Sequence, residues 1–444
     1  TQPSSTLPTP TTAPPAPGST LPGPSTTVAV PTTTPAAAPP MTWEPVPAQA
    51  ALGAGDDQHE YMMHTVVSTE GRLVAAGSIY STEDSNDPLL GATGAIWVSE
   101  NGIDWELTPT TGLDGDAAIY DLAVGDFGYL AVGEVLDGVL SRPAVWISPD
   151  LTSWTAVQSD AFPEWEVIRD VAVGDKGIVA VGGLGYGSGS GSVWHSPDGW
   201  TWQRVLATGD SPIFNDVAVT DGGFVIAGWR DGSDSADAGS RRDHDVPILF
   251  VSEDGSEWQE IGLPEDGSWF GAHAQSIHAV GDDIIVAGYY RSYDHWYYGM
   301  YPVFWASSDR VNWDMRYLPP TNVPELRDES ANLRDLVLTD RGPVAVGGWF
   351  QYPVEINYNY FPGEAMPAVW AAPGDQDWGE VTPRVFGIET LLDDDELDVG
   401  AAIRDPAPQG GDGMFDGAIV FDGKVVAIAT QLGKATVWIG EWTD

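Results

Sequence analysis

The sequence predicts an all-β fold, a seven-bladed β-propeller of four-stranded antiparallel blades that is closed by an N-terminal strand and preceded by an extended Pro/Thr-rich N-terminal tail. Three observations lead to this prediction. Two aromatic residues eight positions apart recur six times along the 444 residues. Apolar runs on either side of a Gly-Asp or Asp-Gly turn precede these pairs. The last repeat lacks its closing strand, and a matching strand stands near the start of the chain.

The aromatic pairs mark one hairpin of each repeat, which we term strands c and d. Three of the six copies carry Ser, then Asp or Asn, then Gly between the two aromatics, as in Ser196, Asp198 and Gly199. Asp can hydrogen-bond its own turn and Gly tolerates a positive φ, so this combination is typical of a tight turn. The six pairs are Trp97 and Trp105, Trp146 and Trp154, Trp194 and Trp202, Phe250 and Trp258, Trp305 and Trp313, and Trp370 and Trp378.

The apolar runs mark the other hairpin, strands a and b. Val173 to Gly182 reads Val-Gly-Asp-Lys-Gly-Ile-Val-Ala-Val-Gly, in which apolar residues flank a turn, a pattern that predicts a β-hairpin. Each repeat is therefore expected to form a four-stranded antiparallel blade. Cognate runs end at Gly77, Gly133, Gly228, Gly288 and Gly347, and a seventh run spans Val420 to Ala429.

The two ends of the folded region complement each other. The seventh repeat reaches Trp438 in strand c, and only six residues follow, without a full turn and fourth strand. At the other end, Met41 to Val46 reads Met-Thr-Trp-Glu-Pro-Val and matches strand d around Trp105. Pairing this strand with the last blade would remove an exposed sheet edge. We therefore expect a propeller closed by its N-terminal strand.

Composition divides the chain at residue 40. Residues 1–40 contain 12 of the 35 prolines and no charged residue, so they cannot bury enough apolar surface to form a core. We expect an extended tail or linker over 1–40, of the kind found in O-glycosylated stalks, and a propeller over 41–444.

The charge balance excludes several classes of partner. The chain has 18 basic and 65 acidic residues, a formal net charge of −47, and no cysteine. A surface of this sign repels phosphate backbones and anionic lipids, which argues against binding to nucleic acid or membranes. No apolar run is long enough for a membrane span. The absence of cysteine removes disulfides, thiolate metal sites and cysteine nucleophiles.

The turn residues Ser196, Asp198, Gly199 and Trp202 resemble the Asp-box motif of the bacterial sialidase-like (BNR-like) repeat propellers, although the box is one residue short. Asp boxes are architectural, so the resemblance implies a fold and no activity. A sialidase of this group would need three arginines, a Tyr nucleophile with a nearby Glu, an Asp acid and an Arg-Ile-Pro signature. That tripeptide does not occur here, and Arg169 and Arg334 share one repeat position. We therefore predict no sialidase activity and no enzyme.

No cofactor is expected from the sequence. The seven histidines show no metal-ligand spacing. Two acidic runs, Asp393 to Asp398 and Asp231 to Asp245, could bind Ca²⁺ through carboxylate oxygens, but neither has the spacing of an EF-hand. We favour solvated acidic loops over a specific Ca²⁺ site.

The b–c loops are long and individual, and two of them, 289–302 and 349–367, are rich in aromatic residues. These loops either pack on each other as a small local core or form a platform for a sugar, a peptide or a neighbouring subunit. Polyproline segments dock on aromatic grooves, so the tail of one subunit could bind this face of the next. The partner-binding residues expected on this basis are Tyr293, Trp296, Tyr297, Tyr298, Tyr352, Tyr358 and Tyr360 on the loops and Pro14, Pro15, Pro17, Pro22 and Pro24 in the tail.

Two functions follow from these features. The first is a secreted, non-enzymatic propeller that acts as a structural or adhesive module at the bacterial cell surface and polymerises into an extracellular filament through its N-terminal tail. Its partners would be further copies of the chain or a surface glycan or protein. The alternative is a glycan-binding or glycan-cleaving propeller with its site on the face of the b–c loops.

Overall fold

The structure is a computed structural model. It describes residues 41–442 with gaps at 83–90, 114, 138–139, 185–189, 210–211, 232–244, 266–270, 282, 295–296, 318–328, 352–353, 357–358, 362–364, 372–383 and 386–412. The one helix in these ranges is a 3-10 turn at Ala50–Leu52. None of the described helices is long and apolar enough to cross a membrane.

Four-stranded antiparallel sheets make up the fold, which confirms the predicted all-β class. In each sheet, the first strand pairs with the second, the second with the third and the third with the fourth. The first strands are β2 (His59–Thr69), β6 (Ala117–Gly125), β10 (Glu166–Gly174), β14 (Ile213–Thr220), β18 (Gly271–Val280), β22 (Glu329–Thr339) and β28 (Met414–Phe421). The second strands are β3 (Arg72–Ser81), β7 (Gly128–Asp137), β11 (Gly177–Leu184), β15 (Gly223–Asp231), β19 (Asp283–Asp294), β23 (Gly342–Gln351) and β29 (Lys424–Gln431).

The outer half of each sheet is formed by the third and fourth strands. The third strands are β4 (Thr93–Ser99), β8 (Leu140–Ser148), β12 (Gly191–Ser196), β16 (Asp245–Ser252), β20 (Tyr297–Ser307), β26 (Ala365–Ala371) and β30 (Lys434–Trp442). The fourth strands are β5 (Glu106–Leu107), β9 (Thr155–Ala156), β13 (Gln203–Ala207), β17 (Gln259–Gly262), β21 (Asp314–Tyr317), β27 (Arg384–Val385) and, for β30, the N-terminal β1 (Met41–Pro45). The sheets of β14–β17 and β18–β21 are joined by a single parallel pair, Asp245 and Gly271.

The N-terminal strand lies antiparallel to the last strand of the chain. The register runs from Met41 opposite Trp442 to Pro45 opposite Trp438. Trp43 in this strand is 5% exposed, and the centroid of its indole lies 6.2 Å from that of the Phe415 ring. An indole buried in this way adds a large apolar area to the last sheet.

The core lies between the faces of neighbouring sheets. One cluster, for example, joins Val74 and Ile96 of the first sheet to Ile119 and Ala131 of the next. The first aromatic residue of the repeated pairs is fully buried at Trp97, and its indole Nε1 donates to the Ala51 carbonyl at 2.7 Å. Trp194 and Trp305 donate in the same way to Ala161 and Pro264. Burial with a satisfied donor explains why Trp recurs at this position.

The turns between third and fourth strands share one hydrogen-bond pattern. In the third sheet, Asp198 Oδ1 accepts from the amides of Trp200 and Thr201 at 2.9 and 2.7 Å. The Ser196 hydroxyl accepts from the Gly199 amide, and the Trp202 indole donates to the Gly199 carbonyl. Gly199 has φ of +80°, in the left-handed region that glycine adopts without strain. These contacts are the turn chemistry expected from the repeated Ser-x-Asp-Gly sequence.

The predicted b–c loops of the fifth and sixth sheets are shorter than expected. The β19–β20 hairpin continues through 289–302 as far as the pair Asp294 and Tyr297. Within 349–367, a small hairpin pairs β24 (Val354–Ile356) with β25 (Asn359–Phe361). Tyrosine and other aromatic residues have high β propensity, so the aromatic content that suggested a binding loop also extends these strands.

Candidate functional site

Every first strand contains a β-bulge near its middle, where the pairing with the second strand skips one residue. The residue before each bulge is fully buried and apolar, such as Ile119 or Ile168. A bulge breaks the alternation of side chains, so the bulged residue and its successor can both face away from the core. The seven bulged residues are His64, Tyr120, Arg169, Asn215, Gln275, Arg334 and Asp416.

A glycine on the second strand accommodates six of these bulges. A Cβ built on Gly182 would lie 2.0 Å from the Val167 carbonyl oxygen, and one on Gly133 would lie 1.9 Å from the Ala118 oxygen. Side chains cannot approach a backbone oxygen so closely, so only glycine fits. These are the glycines that end the repeated apolar runs, and the seventh run carries Ala429 instead. The glycines were therefore the sequence signal for the bulges.

The bulged residues surround one cavity of about 540 Å³, which we call the central cavity. Every first strand contributes to it, and each contributes its bulged residue and the residue after it. The second members of these pairs are Thr65, Asp121, Asp170, Asp216, Ser276, Asp335 and Gly417.

The residues after the bulges link adjacent first strands. Asp121 accepts a hydrogen bond from the Val171 amide at 3.0 Å, and Asp170 accepts one from Val217 at 2.7 Å. The same contact joins Asp216 to Ile277 at 2.7 Å and Asp335 to Ala418 at 2.9 Å. Thr65 donates to Asp121 at 2.7 Å, and Ser276 donates to Asp335 at 3.4 Å. These side chains therefore hold the sheets together around the cavity.

Burial changes the ionisation of these carboxyl groups. It raises the pKa of Asp335 to about 7 and also raises the pKa of Asp121. The pKa of Asp170 lies well above its ordinary value, first because of burial and then because of the neighbouring charges of Asp216 and Asp121.

Tyr120, which lines the cavity, is joined by hydrogen bonds to a glutamate and a serine of the neighbouring strands. The Tyr120 hydroxyl donates to Glu134 Oε1, and the Ser141 hydroxyl donates to Glu134 Oε2. Glu134 lies in β7 and is 6% exposed. Burial, followed by the charge of Glu134, raises the pKa of Tyr120 well above its ordinary value. The phenol is therefore protonated at neutral pH and is positioned to lose its proton to Glu134.

His64 lies beside this group. The imidazole and the Tyr120 ring meet edge to face, with centroids 5.5 Å apart. Burial, followed by the charge of Arg334, lowers the pKa of His64 to about 4. His64 Nε2 is buried and has no hydrogen-bond partner among the described residues. A neutral imidazole in the cavity wall can therefore bond to a molecule that enters.

A second buried polar cluster lies between the fourth and fifth sheets. His273 Nε2 and Asp245 Oδ2 are 2.7 Å apart, and the Tyr289 hydroxyl lies 2.7 Å from His273 Nδ1. Trp229 stacks on the imidazole with centroids 3.9 Å apart. Arg291 completes the group through an ion pair with Asp245. Every polar group has a partner, so the cluster braces the two sheets.

Sequence reasoning did not find the central cavity. Arg169 and Arg334 share one repeat position, which from the sequence indicated structural pairing. In the structure, both residues line the cavity. The sequence also distinguishes Glu134, which is an acidic residue after Gly133 at a position where other repeats carry neutral residues such as Ser78 or Thr430. The register shift that turns Tyr120 into the cavity could not be read from the apolar pattern.

The structure does not test the partner-binding residues expected from the sequence. Tyr293, Tyr297 and Tyr298 occupy strand positions in the β19–β20 hairpin, and Tyr360 pairs with Glu355 in β25, but their side chains are not described. The remaining expected residues, Trp296, Tyr352, Tyr358, Pro14, Pro15, Pro17, Pro22 and Pro24, lie outside the described residues. A contact between the tail and a neighbouring subunit stays a prediction.

The described part of the chain contains no group of three or more His, Asp or Glu residues arranged to hold a metal ion. The acidic run from Asp393 to Asp398, and most of the run from Asp231 to Asp245, lie outside the described ranges. Ca²⁺ binding at these runs stays a prediction.

No family model matches the sequence, and no curated protein matches it. Among solved structures, the chain is similar to a glycosyl hydrolase from Bacteroides ovatus, with 13% identity, 58% of this chain and 84% of that chain covered, and a TM-score of 0.33. It is also similar to an α-L-arabinofuranosidase from Fusarium graminearum, with 11% identity, coverage of 87% and 93%, and a TM-score of 0.41. A third similar structure is the GH32 β-fructofuranosidase of Bombyx mori, with 11% identity, 84% of this chain and 86% of that chain covered, and a TM-score of 0.33.

These comparisons contradict two predictions made from the sequence. The structures found are glycoside hydrolases, so we do not retain the prediction of a non-enzymatic structural or adhesive module or the prediction that the protein is no enzyme. The physical reason for the error is the bulge, which assembles side chains from seven distant segments in one cavity. Identities and TM-scores this low assign neither a substrate nor a reaction to this chain.

Proposed function

We propose that the protein is a glycoside hydrolase that works in the central cavity, with Tyr120 as nucleophile and Glu134 as its base. One observation carries the proposal. The Tyr120 phenol lines the cavity and donates to a buried carboxylate that Ser141 holds from the other side. A nucleophile bonded to a base that a third group orients is the arrangement that covalent catalysis requires.

Asp416 is the proton donor in this proposal. It is the one carboxylic acid among the seven bulged residues, and it lines the cavity. Asp121, Asp170, Asp216 and Asp335 each accept a hydrogen bond from a backbone amide of the next first strand.

The reaction has two steps. In the first, the Tyr120 oxygen bonds to the anomeric carbon while its proton passes to Glu134. Asp416 gives its proton to the glycosidic oxygen, and the leaving sugar departs as an alcohol. In the second, Asp416 takes a proton from water, the hydroxide bonds to the anomeric carbon, the bond from that carbon to the Tyr120 oxygen breaks, and this oxygen regains its proton from Glu134. Two displacements at one carbon retain its configuration.

The cavity favours an acidic sugar. Arg169 and Arg334 extend into it from the third and sixth sheets, and a guanidinium binds a carboxylate through two parallel hydrogen bonds. Asn215 and Gln275 offer amide groups for hydroxyls, and His64 offers the unbonded Nε2. These two guanidinium groups share the cavity with five aspartates, and they are the groups there that could bind the carboxylate of an acidic sugar.

Hydrolysis of fluorogenic glycosides tests the proposal. We would assay 4-methylumbelliferyl glycosides of N-acetylneuraminic, glucuronic and galacturonic acids beside those of arabinofuranose and mannose. We expect cleavage of an acidic member, and Tyr120→Phe and Glu134→Gln should lower kcat by about a thousandfold or more. Tyr129→Phe is the matched control, because Tyr129 is a buried tyrosine of the same sheet that hydrogen-bonds Arg72. Wild-type rates in Tyr120→Phe would overturn the proposal.

We also propose that the sheets form the seven blades of a closed propeller of the Asp-box type. Three observations support this. Strands of all seven repeats line one cavity, β1 pairs with β30, and a Cβ on Gly417 in β28 would lie 3.7 Å from the His64 carbonyl in β2. The shared turn contacts support the Asp-box kinship. An extracellular location stays a prediction from the composition of the tail.

A further inference from the structure

We propose that Trp165 forms an aromatic subsite at the mouth of the central cavity and binds a sugar ring of a glycan chain whose end enters the cavity. The identity of this occupant rests on the proposed function. The subsite itself rests on the backbone of Trp165, the contacts that fix it and its connection to Glu134.

The backbone of Trp165 is held in a conformation that a bulky residue rarely adopts. Its φ is +71°, in the left-handed region, and its side chain is 51% exposed. Such a residue persists only where its surroundings impose it, and outliers of this kind cluster at ligand sites. This backbone presents an indole to solvent instead of to the core, and the subsite proposed here gives that exposed indole a function.

Contacts on three sides impose this conformation. The Glu164 carboxylate pairs with Arg142 at 2.7 Å, and the Glu166 carboxylate pairs with Arg204 of β13. Between them, the Trp165 amide donates to the Ser141 carbonyl at 2.7 Å. Both neighbours in the chain and the residue itself are thus anchored, while the indole is left exposed.

The same contacts connect Trp165 to the proposed catalytic pair. Ser141, whose carbonyl accepts from Trp165, donates its hydroxyl to Glu134, and Glu134 accepts from Tyr120. Three hydrogen bonds therefore lead from the Trp165 backbone to the nucleophile. Trp165 directly precedes β10, and Arg169 of that strand lines the cavity. Four residues of strand span about 13 Å, which is longer than one sugar ring.

Because Trp165 lies about 13 Å along the strand from Arg169, its indole would bind a different sugar unit of the glycan from the one inside the cavity. The face of a pyranose ring carries C–H groups, which pack on an aromatic surface. Its rim carries hydroxyls, and the ion pair of Arg142 with Glu164, the residue before Trp165, offers polar groups that could bind them. The structure therefore favours a substrate of several sugar units over a free monosaccharide.

The sequence contains a matched control for this indole. Trp200 is 49% exposed, which is nearly the same as Trp165, but it lies in the turn that follows β12, next to Asp198 and Gly199. Trp200→Asn removes an exposed indole without touching the cavity. Trp165→Asn removes the indole at the mouth and keeps a residue that tolerates the left-handed conformation.

Binding is measured in a Tyr120→Phe background, so that no ligand is cleaved. The probes are oligogalacturonates and arabino-oligosaccharides of one to six units, titrated by calorimetry and Trp fluorescence. We expect affinity for at least one series to rise with length and Trp165→Asn to lower affinity for its longest member about tenfold. The monosaccharide should change less than twofold, Trp165→Phe should restore part of the loss, and Trp200→Asn should change nothing.

The outcomes separate this proposal from the proposed function. Length-dependent binding that Trp165→Asn abolishes, with no hydrolysis by the wild type, supports the subsite and removes the enzyme. Hydrolysis that is unaffected by Trp165→Asn at every chain length supports the enzyme and overturns the subsite. Absence of length-dependent binding in both series also overturns it. Unchanged thermal unfolding of Trp165→Asn excludes misfolding as the cause of lost binding.

Discussion

At the scale of single residues, aspartates occupy two kinds of position, and their pKa values shift in opposite directions. Asp254 lies in an exposed turn, where amides of Ser256 and Glu257 stabilise its charged form and lower its pKa to about 2. Asp335 lies at the central cavity, where burial favours its neutral form and raises its pKa to about 7. The repeat makes both positions recur, but only the structure separates their roles.

The first prediction concerns Asp335 and pH. Its pKa in the folded state, about 7, exceeds the unfolded value of about 3.9, so the folded state binds more protons between these values. Its contribution to stability is fully present below pH 4 and is lost as pH rises through 7. Asp335→Asn should flatten the decline in unfolding free energy from pH 4 to 7, as measured by urea unfolding at several pH values.

Asp254→Asn is the control, because the pKa of Asp254 is shifted in the opposite direction to that of Asp335. Because the folded pKa of Asp254 is depressed to about 2, its contribution is present above pH 4 and is lost as pH falls through 2. This variant should therefore lose stability at neutral pH and leave the slope between pH 4 and 7 unchanged. If Asp335→Asn leaves that slope as steep as in the wild type, the account of its burial is wrong.

The proposed catalytic pair is a contact that could not be predicted from the sequence. Tyr120 and Glu134 are 14 positions apart on two strands, and their contact depends on the bulge between Ile119 and Asp121. In a regular strand, successive side chains alternate between the two faces, so the sequence pattern alone would place Tyr120 and Asp121 on opposite sides. The structure places both at the cavity.

At the scale of elements, the sequence repeat predicted the hairpins of the sheets. The paired aromatics and the Gly-Asp turns located the two hairpins of each sheet, because turn chemistry and burial of Trp are local properties. The extension of the β19–β20 hairpin to Asp294 and Tyr297 was not predicted. A run of tyrosines fits a strand and an aromatic loop equally well, and the pairing that decides between them is not local.

The second prediction concerns the glycine opposite each bulge. Gly182→Ala would bring a Cβ to 2.0 Å from the Val167 oxygen, so the bulge must shift or open. We expect a loss of about 2–4 kcal/mol in unfolding free energy, in the range of substitutions that strain a buried site. Chemical unfolding of the full chain measures this loss.

Gly262→Ala is the control for that substitution, because a Cβ at Gly262 meets no atom within 4 Å. A strand residue with open space should gain slightly from the added methyl group, since alanine restricts the unfolded chain. Equal stability of Gly182→Ala and the wild type would show that the bulge of β10 does not have the described register.

At the scale of the whole molecule, the N-terminal strand bears on how the sheets are held together. The third prediction compares two truncations. Removing residues 1–40 should leave the thermal midpoint within about 2 °C of the wild type, because a segment of that composition buries little surface. Removing residues 1–45 also deletes β1 and Trp43, and loss of a buried Trp costs about 3–5 kcal/mol. Scanning calorimetry of both proteins measures the difference.

A large drop in midpoint confined to the longer truncation would support closure of the propeller by β1. If both truncations melt alike and close to the wild type, the pairing of Met41–Pro45 with Lys434–Trp442 does not stabilise the fold. The same short truncation tests association through the tail, because a protein that assembles through residues 1–40 becomes smaller in light scattering when they are removed.

The central claim is that Tyr120 is the nucleophile of a glycosidase. It is tested most directly by trapping the covalent intermediate. The protein is incubated with activated fluorosugar analogues of the glycosides proposed as substrates, then digested and mapped by mass spectrometry. We predict one glycosyl adduct, on the peptide that contains Tyr120, and none in Tyr120→Phe. An adduct on Asp170, Asp335 or Asp416, or full activity without any adduct at Tyr120, would contradict the account.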